Sequence, residues 1–452
     1  MRVPPTVRPL AATLVSFGLV AFGLAAHGAP AAEAGAGAPS PIRHVVVLFQ
    51  ENHSFNDLLG KLCVDEQDRC DGTTTGVISD GTKIPLSPEP DIVPGVAHLY
   101  ADQVAAMDHG AMDGWDHVGA CGAPHYRCLT QAQAGAVPTL WSLADTYTVS
   151  DRTFESDVSA SWGSHIDLVA ATTDGFQGDP YHSVGSTGKG NACDGKSDAG
   201  WFDRATHQVI QVPACIPDKN GNGPYRPSPV KYVPTIMDSM EAAGLSWGIY
   251  APGKRGSTGY GWAICPTFFE CFSTDQRRNV VQPGDFANAA QEGTLPALSI
   301  VIPFPGKSQH NSNSLMVGDN WIARNVDAVM NGPDWGSTAI FITYDDCGCF
   351  YDPVRPLPGL GIREPMVIVS PYAKPRFVDH TDASFASILA FTEHAFGLPP
   401  LPGGTDRTAY DYADAFDFGG PARPGIALPQ HPVPASSLGW LATHPPVDDD
   451  PT

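Results

Sequence analysis

Residues 44–55 read HVVVLFQENHSF. From His44 to Phe49 the run is apolar and rich in β-branched residues, the composition of a buried strand. A carboxylate, an amide and an imidazole follow at once: Glu51, Asn52 and His53. A second stretch repeats the pattern. TAIFITY, residues 338–344, reads as a buried strand and leads straight into Asp345 and Asp346. In open α/β sheets ligands gather at the carboxyl ends of the strands. Two such ends bring three carboxylates and an amide into one crevice. Acids at that spacing repel, so one of them takes up a proton or a cation sits among them. Oxygen donors of this kind suit a divalent metal: Mg, Ca, Mn or a mixed Zn site. Taken singly, Asp345-Asp346 also reads as a solvated turn and Glu51-Asn52 as a capping pair. The repeated pattern, with no basic residue near either cluster, favours the metal.

The rest of the chain alternates strands with helices. TIMDSMEAAG (235–244) has helical spacing and a glycine stop, and LSWGIYAP (245–252) alternates as a strand. DNWIARNVDAVMNGP (319–333) predicts a helix capped by Asp319 and ended by Gly332-Pro333. PMVIVSP (365–371) is another buried strand and ASFASILAFTEHAFG (383–397) another amphipathic helix. This order predicts an α/β fold, a three-layer sandwich around a central, mostly parallel sheet. The chain divides into a leader and linker (1–36), a catalytic domain (40–400) and a Pro-rich C-terminal tail (401–452) expected to be extended over the surface or disordered. Long Gly/Pro/Asn-rich stretches such as 173–230 predict functional or crosslinked loops.

Composition narrows the partners. The 26 basic against 48 acidic residues give a net charge of -22, which argues against a nucleic-acid partner. An anionic substrate then needs a metal or a local cationic pocket. Arg2 and Arg8 precede an apolar run from Leu10 to Ala26, followed by small residues. That is the layout of a secretory signal peptide, and the run is short for a membrane span of about 20 residues. Secretion and no stable membrane span are therefore expected. Eight of the ten cysteines fall into local couples, Cys63/Cys70, Cys121/Cys128, Cys193/Cys215 and Cys265/Cys271. In an exported chain these suggest disulfides, although spacing alone does not fix the pairing. A bridge between Cys347 and Cys349 would be strained, which leaves longer-range partners, free thiols or a tight loop.

Two further segments carry chemistry. In FESDVSASWGSHIDLVAATT (154–173), Ser161 precedes a helix expected over 163–172. A hydroxyl there is often only a cap. The same place suits a nucleophile whose anionic intermediate lies near backbone N–H groups. In PFPGKSQHNSNSLMVGDNW (303–321), His310 lies in a polar loop. A lone loop histidine is usually a surface residue, but near a metal it can bind phosphate or protonate a leaving oxygen.

Together these segments resemble the bacterial phosphoesterase family that contains secreted phospholipases C and acid phosphatase A, within the alkaline-phosphatase-like superfamily. IRHVVVLFQENHSFNDLLG (42–60) looks like its opening motif, and MDHGAMDGW (107–115) is similar to its Gly-x-Met-Asp-Gly stretch. The segments 234–252, 286–303, 318–346 and 359–381 follow in the family's order, so the match spans roughly 41–398. The resemblance implies an alkaline-phosphatase-like fold. It implies metal ligation by Glu51, Asn52, Asp345, Asp346 and Ser161, with Ser161 the nucleophile of a phosphoserine intermediate and His310 meeting the phosphoryl group.

The chain departs from the family around the substrate. Where relatives carry Gly-Pro-Thr-x-Pro-Asn-Arg it has SASWGSH (159–165), with His165 in place of Arg and with Ser159 and Ser164 beside Ser161. After the paired acids it has CGCFYD (347–352) rather than His-Gly-Gly-Phe-Tyr-Asp, and SFAS (384–387) rather than Asp-His-Thr-Ser. His165 and His380 are the remaining substrate-binding residues. The expectation is a secreted, metal-dependent phosphoric ester hydrolase acting on a small phosphoester or a phospholipid headgroup. Only about 50 residues follow the match, few for an extra domain, which tilts it towards an acid-phosphatase-like or general phosphoesterase. The alternatives are a phospholipase C for phosphatidylcholine-type lipids and a weakened binding protein of the same fold.

Overall fold

The computed structural model describes Met1 and residues 40–182, 190–257 and 259–446. The expected leader lies, Met1 aside, outside the described residues. The central sheet has eight strands: β1 (His44–Gln50), β2 (Thr148–Ser150), β3 (Trp247–Tyr250), β4 (Val280–Val281), β5 (Leu298–Val301), β6 (Thr338–Tyr344), β7 (Met366–Val369) and β8 (Val378–Asp379). Their order is β4-β3-β5-β1-β6-β7-β2-β8. β7 alone runs against its neighbours, and every other pairing is parallel.

β1 is central because it is apolar on both sides. Val46 and Leu48 enter one core, with the helices α1 (Pro138–Thr146), α4 (Asp285–Glu292) and α5 (Leu315–Met330). Val45, Val47 and Phe49 enter the other, with α2 (Ser161–Ala170), α3 (Ile236–Ala242) and α6 (Phe385–Phe396). β6 divides in the same way, with Ile340 and Ile342 to the first core and Ala339 and Phe341 to the second. The result is the expected three-layer α/β/α sandwich.

Some local expectations are corrected. α5 starts a turn earlier than its pattern suggests, at Leu315, capped by the Ser314 hydroxyl, which accepts from Val317 N–H at 3.2 Å. Asp319, the expected cap, lies inside α5 and caps another helix. Its carboxylate accepts from the N–H groups of Thr139 and Leu140, both at 2.9 Å, in the first turn of α1. Burial pushes its carboxyl up to about 6, against the pull of those N–H groups. α2 begins at Ser161 rather than at 163, so Ser161 is its first residue.

The tail expected on the surface begins as core. Leu401, Tyr412 and Phe416 are buried, and the Phe416 ring stacks on Phe391 of α6 at 4.9 Å. Proline content misled here, because it marks missing N–H donors and says little about the aromatic residues between them. The stretch 173–230 holds a small sheet of Tyr181–His182, Ser197–Asp203 and Gln208–Pro213, tied by the Cys193–Cys215 disulfide. The other three local couples are bridged as well. Cys347 and Cys349 are buried free thiols with Sγ atoms 3.7 Å apart. Among the described residues, no helix is long and apolar enough to cross a membrane.

Candidate active site

β1 and β6 are parallel neighbours in a register that pairs Gln50 with Tyr344, the last residue of each strand. Glu51 and Asp345 therefore leave the sheet side by side. Two hydrogen bonds lock the ends together. Asp345 N–H donates to Gln50 O at 3.0 Å, and Asn52 N–H donates to Asp345 Oδ1 at 2.9 Å. Asn52 reaches this bond at φ 66, a left-handed conformation that Asn tolerates better than most residues. Gly348 makes the turn after the acids possible. A Cβ there would lie 2.2 Å from Asn52 O. Its N–H donates to Asp346 Oδ1 at 2.7 Å.

α2 delivers two side chains to the same place. Ser161 and His165 are four residues apart and share a helix face. The Ser161 hydroxyl donates to Asp346 Oδ2 at 2.9 Å and lies 3.5 Å from Asn52 Oδ1. His165 Nε2 lies 3.9 Å from Asp345 Oδ2. Its ring packs edge-on against Phe49 and tilts over Trp262. Trp162 anchors the start of α2, donating from Nε1 to Thr267 Oγ1 at 2.8 Å. The first free N–H of the helix is already engaged, since Trp162 N–H donates to Asp179 Oδ1 at 2.9 Å. An anion entering at this helix end competes with that carboxylate.

The electrostatics fit a cation. Asp345 and Asp346 are fully buried and Glu51 nearly so. Burial first, then the charges of Asp346 and Glu51, push the Asp345 carboxyl well above the usual carboxylate range. Asp345 Oδ2 and His165 Nε2 have no hydrogen-bond partner among the described residues. Burial lowers the His165 imidazole to about 3, opposed by a hydrogen bond with the Trp262 backbone. It is therefore neutral, the form that ligates metals. Glu51, His165 and Asp345 offer ligand atoms within 4.8 Å of one another. A buried set of two carboxylates and a neutral imidazole can bind a divalent cation, and the lone acceptors at its centre are what such an ion satisfies.

The structure thus brings together Glu51, Asn52, Ser161, His165, Asp345 and Asp346, with His165 among the ligand atoms. His310 sits one step out. Its ring meets the His98 ring at 5.7 Å, and its Nδ1 is 3.0 Å from Asn311 O. His380 is elsewhere. It pairs with Asp151, after β2, at 2.9 Å, and its side chain is 67% exposed. Ser159 and Ser164 face each other at 3.2 Å, and Ser164 lies 3.5 Å from Glu155.

Sequence reasoning missed His98, Glu155 and Glu364. His98 Nδ1 is 2.9 Å from Val96 O, and its Nε2 is 2.9 Å from Asn52 Nδ2. A carbonyl only accepts, so the proton belongs on Nδ1 and Nε2 accepts from the amide. That assignment turns Asn52 Oδ1 towards Ser161. Glu155 and Glu364 are fully buried behind the aspartates. Burial raises both carboxyls well above the usual range. The next causes are Asp346 then Asp345 for Glu155, and Glu155 then the aspartates for Glu364. None of the three stands in a recognisable motif.

A deep centre of three carboxylates beside a helix-borne serine lies at the carboxyl edge of a mostly parallel sheet, the edge at which open α/β folds bind their ligands. The chain belongs to the Phosphoesterase family, whose profile matches residues 42–399. That membership makes it a phosphoric ester hydrolase. It is 24% identical to "Phospholipase C B" of Mycobacterium tuberculosis, over 88% of this chain and 82% of that protein. It is 24% identical to "Phospholipase C A" of the same organism, over 89% and 84%. A solved structure from Vibrio parahaemolyticus, described as a protein in the alkaline phosphatase superfamily, aligns with a TM-score of 0.38 and 11% identity, over 82% of this chain and 71% of that one.

Proposed function

We propose that the protein is an extracellular, metal-dependent phosphoesterase that forms a phosphoserine at Ser161 and prefers phosphodiesters, with a phospholipid headgroup as the substrate class. The observation that carries this is the 2.9 Å hydrogen bond from the Ser161 hydroxyl to Asp346, beside the Glu51, His165 and Asp345 ligand atoms. The phospholipase C relatives move the reading from the acid-phosphatase expectation towards diesters. The four disulfides suit an oxidising compartment.

Glu51, Asn52, His165, Asp345 and Asp346 would hold the cation. When bound, it would lower the pKa of the neighbouring hydroxyl and offset charge on the phosphoryl oxygens. Ser161 Oγ attacks phosphorus as its proton passes towards Asp346 Oδ2, and the bond to the leaving alkoxide breaks. His98 keeps the Asn52 carboxamide oxygen on the Ser161 side throughout. His310, protonated on both ring nitrogens with Nδ1–H held by the Asn311 carbonyl, gives its Nε2 proton to the leaving oxygen. Water then attacks phosphorus and gives a proton back to His310 Nε2 as the bond from Ser161 Oγ to phosphorus breaks, Ser161 recovers its proton from Asp346, and the phosphorylated headgroup leaves. Ser161 is only 1% exposed, so covering side chains must move before an ester reaches it.

The test is turnover of p-nitrophenyl phosphate, p-nitrophenyl phosphorylcholine and p-nitrophenyl sulfate, with and without chelator. Chelator-sensitive cleavage of the phosphorylcholine diester, faster than of the monoester, is expected. Sulfate cleavage alone contradicts the proposal. The Asp179 carboxylate on Trp162 N–H favours a second reading, a binding protein of the same fold. Turnover of none of the three by the cation-loaded protein would establish that one.

A further inference from the structure

A second buried cluster of ligand-type side chains lies on the other side of Asn52. It consists of His53, Asp57 and Glu89, whose ligand atoms lie within 4.8 Å of one another. His53 and Asp57 are wholly buried and Glu89 is 5% exposed. His53 Nε2 lies 3.1 Å from Gln309 O. The carbonyl can only accept, so Nε2 carries a proton, and Nδ1 is the ring nitrogen that faces the two acids. A histidine whose outer nitrogen donates to a backbone carbonyl is oriented as metal-ligating histidines are.

Asp57 Oδ2 lies 2.7 Å from His53 Nδ1. Beyond a hydrogen bond between the two carboxyl groups, Asp57 Oδ1 and both Glu89 oxygens have no hydrogen-bond partner among the described residues. Two carboxyl groups and an imidazole buried this close together are costly to keep without a shared proton or a cation among them. One divalent cation in place of that proton would engage all three groups. We propose that His53, Asp57 and Glu89 form a second divalent-cation site, distinct from the one beside Ser161. One imidazole and two carboxylates suit Zn or Mn better than Mg. Ligand atoms around such an ion lie about 3–4 Å apart. His53 Nδ1 and Asp57 Oδ2, at 2.7 Å, open slightly on binding.

The position gives the ion a structural task. His53 follows Asn52 directly. Gln309 precedes His310 and accepts from the Tyr344 hydroxyl through Oε1 at 2.5 Å, and Tyr344 precedes Asp345. The cluster therefore ties together the backbone of three segments that present the Ser161 site.

The test is metal counting on the full chain. The protein is stripped with chelator, equilibrated with Zn2+ or, separately, Mn2+, dialysed against metal-free buffer and analysed by plasma mass spectrometry. Glu89→Gln is expected to hold one ion fewer per chain than the wild type. Asp345→Asn reports the other site independently. Equal metal content in the wild type and Glu89→Gln overturns the second site and leaves a proton-sharing acid pair, whatever Asp345→Asn shows. Should Glu89→Gln fail to fold, anomalous diffraction from the zinc-loaded wild type decides. A peak between His53 Nδ1 and Glu89 is expected, and its absence overturns the proposal.

Discussion

Asp345→Asn should change the melting temperature in opposite directions with and without cation. Asp345 Oδ1 accepts two backbone N–H groups, from Asn52 at 2.9 Å and Asp346 at 2.8 Å. An Asn amide oxygen keeps both. What the substitution removes is the charge that faces Glu51 within 4.8 Å. Two unit charges at that distance and an effective dielectric of about 20 repel by about 3 kcal/mol. Whether the cation-free fold bears that repulsion or Asp345 takes a proton instead, the strain is of this order. Unfolding entropy of about 2 cal/mol/K per residue gives about 0.8 kcal/mol/K for about 400 residues, so the variant should melt about 4 °C higher in chelator. With cation bound, the attraction between a carboxylate and a divalent ion in contact exceeds the repulsion between two acids several ångströms apart. The order then reverses, which requires the variant to lose more than about 150-fold in cation affinity, the ratio equivalent to 3 kcal/mol. Scanning calorimetry in chelator and in saturating Zn2+, Mn2+ or Ca2+ measures both. A shift of the same sign in every condition would refute the placement of Asp345 at a cation.

Ser161→Ala should lower kcat for p-nitrophenyl phosphorylcholine by at least about 10³-fold, roughly 4 kcal/mol of barrier, while Ser159→Ala and Ser164→Ala stay within tenfold; equal losses in all three would remove the distinction. His380→Ala should leave kcat/KM within about threefold, since its side chain is exposed on Asp151, and a larger loss would return it to the substrate. His98→Ala should lower kcat and cation affinity together, and a loss in KM alone would contradict its role in orienting Asn52. Asp167 sets a pH dependence of stability. Burial pushes its carboxyl up to about 7, against Ser156 and with help from Asp157 and Asp406. The unfolded chain releases this proton near pH 4 and the fold only near 7. The stabilisation from holding it is complete below pH 4 and is lost as pH rises through 7, by at most about 4 kcal/mol. Asp167→Asn should flatten that slope in urea titrations from pH 5 to 8, and an unchanged slope would contradict it.

The sheet was legible because β1 and β6 are apolar on both faces, which few chains sustain outside a two-sided core. The local cysteine couples read correctly, as neighbours in sequence are held within bridging distance by short loops. Glu51 and Asp345 were legible as a pair since strand ends in a parallel sheet share an edge. The helix caps were not. Asp319 sits where a cap for its own helix was expected, and only the packing of α5 against α1 shows which N–H groups it serves. His98, Glu155 and Glu364 come from loops with no pattern of their own, and their meaning lies in what the fold brings beside them. The same is true of Glu89. The tail was misread because proline was weighed above Tyr412 and Phe416.

A crystal of the full chain soaked with vanadate and Zn2+ bears most directly on the site. Vanadium bonded to Ser161 Oγ, with zinc between Glu51 and Asp345, is the predicted result. Vanadium on Ser159, Ser164 or His310, or zinc absent from Glu51 and Asp345, would contradict it.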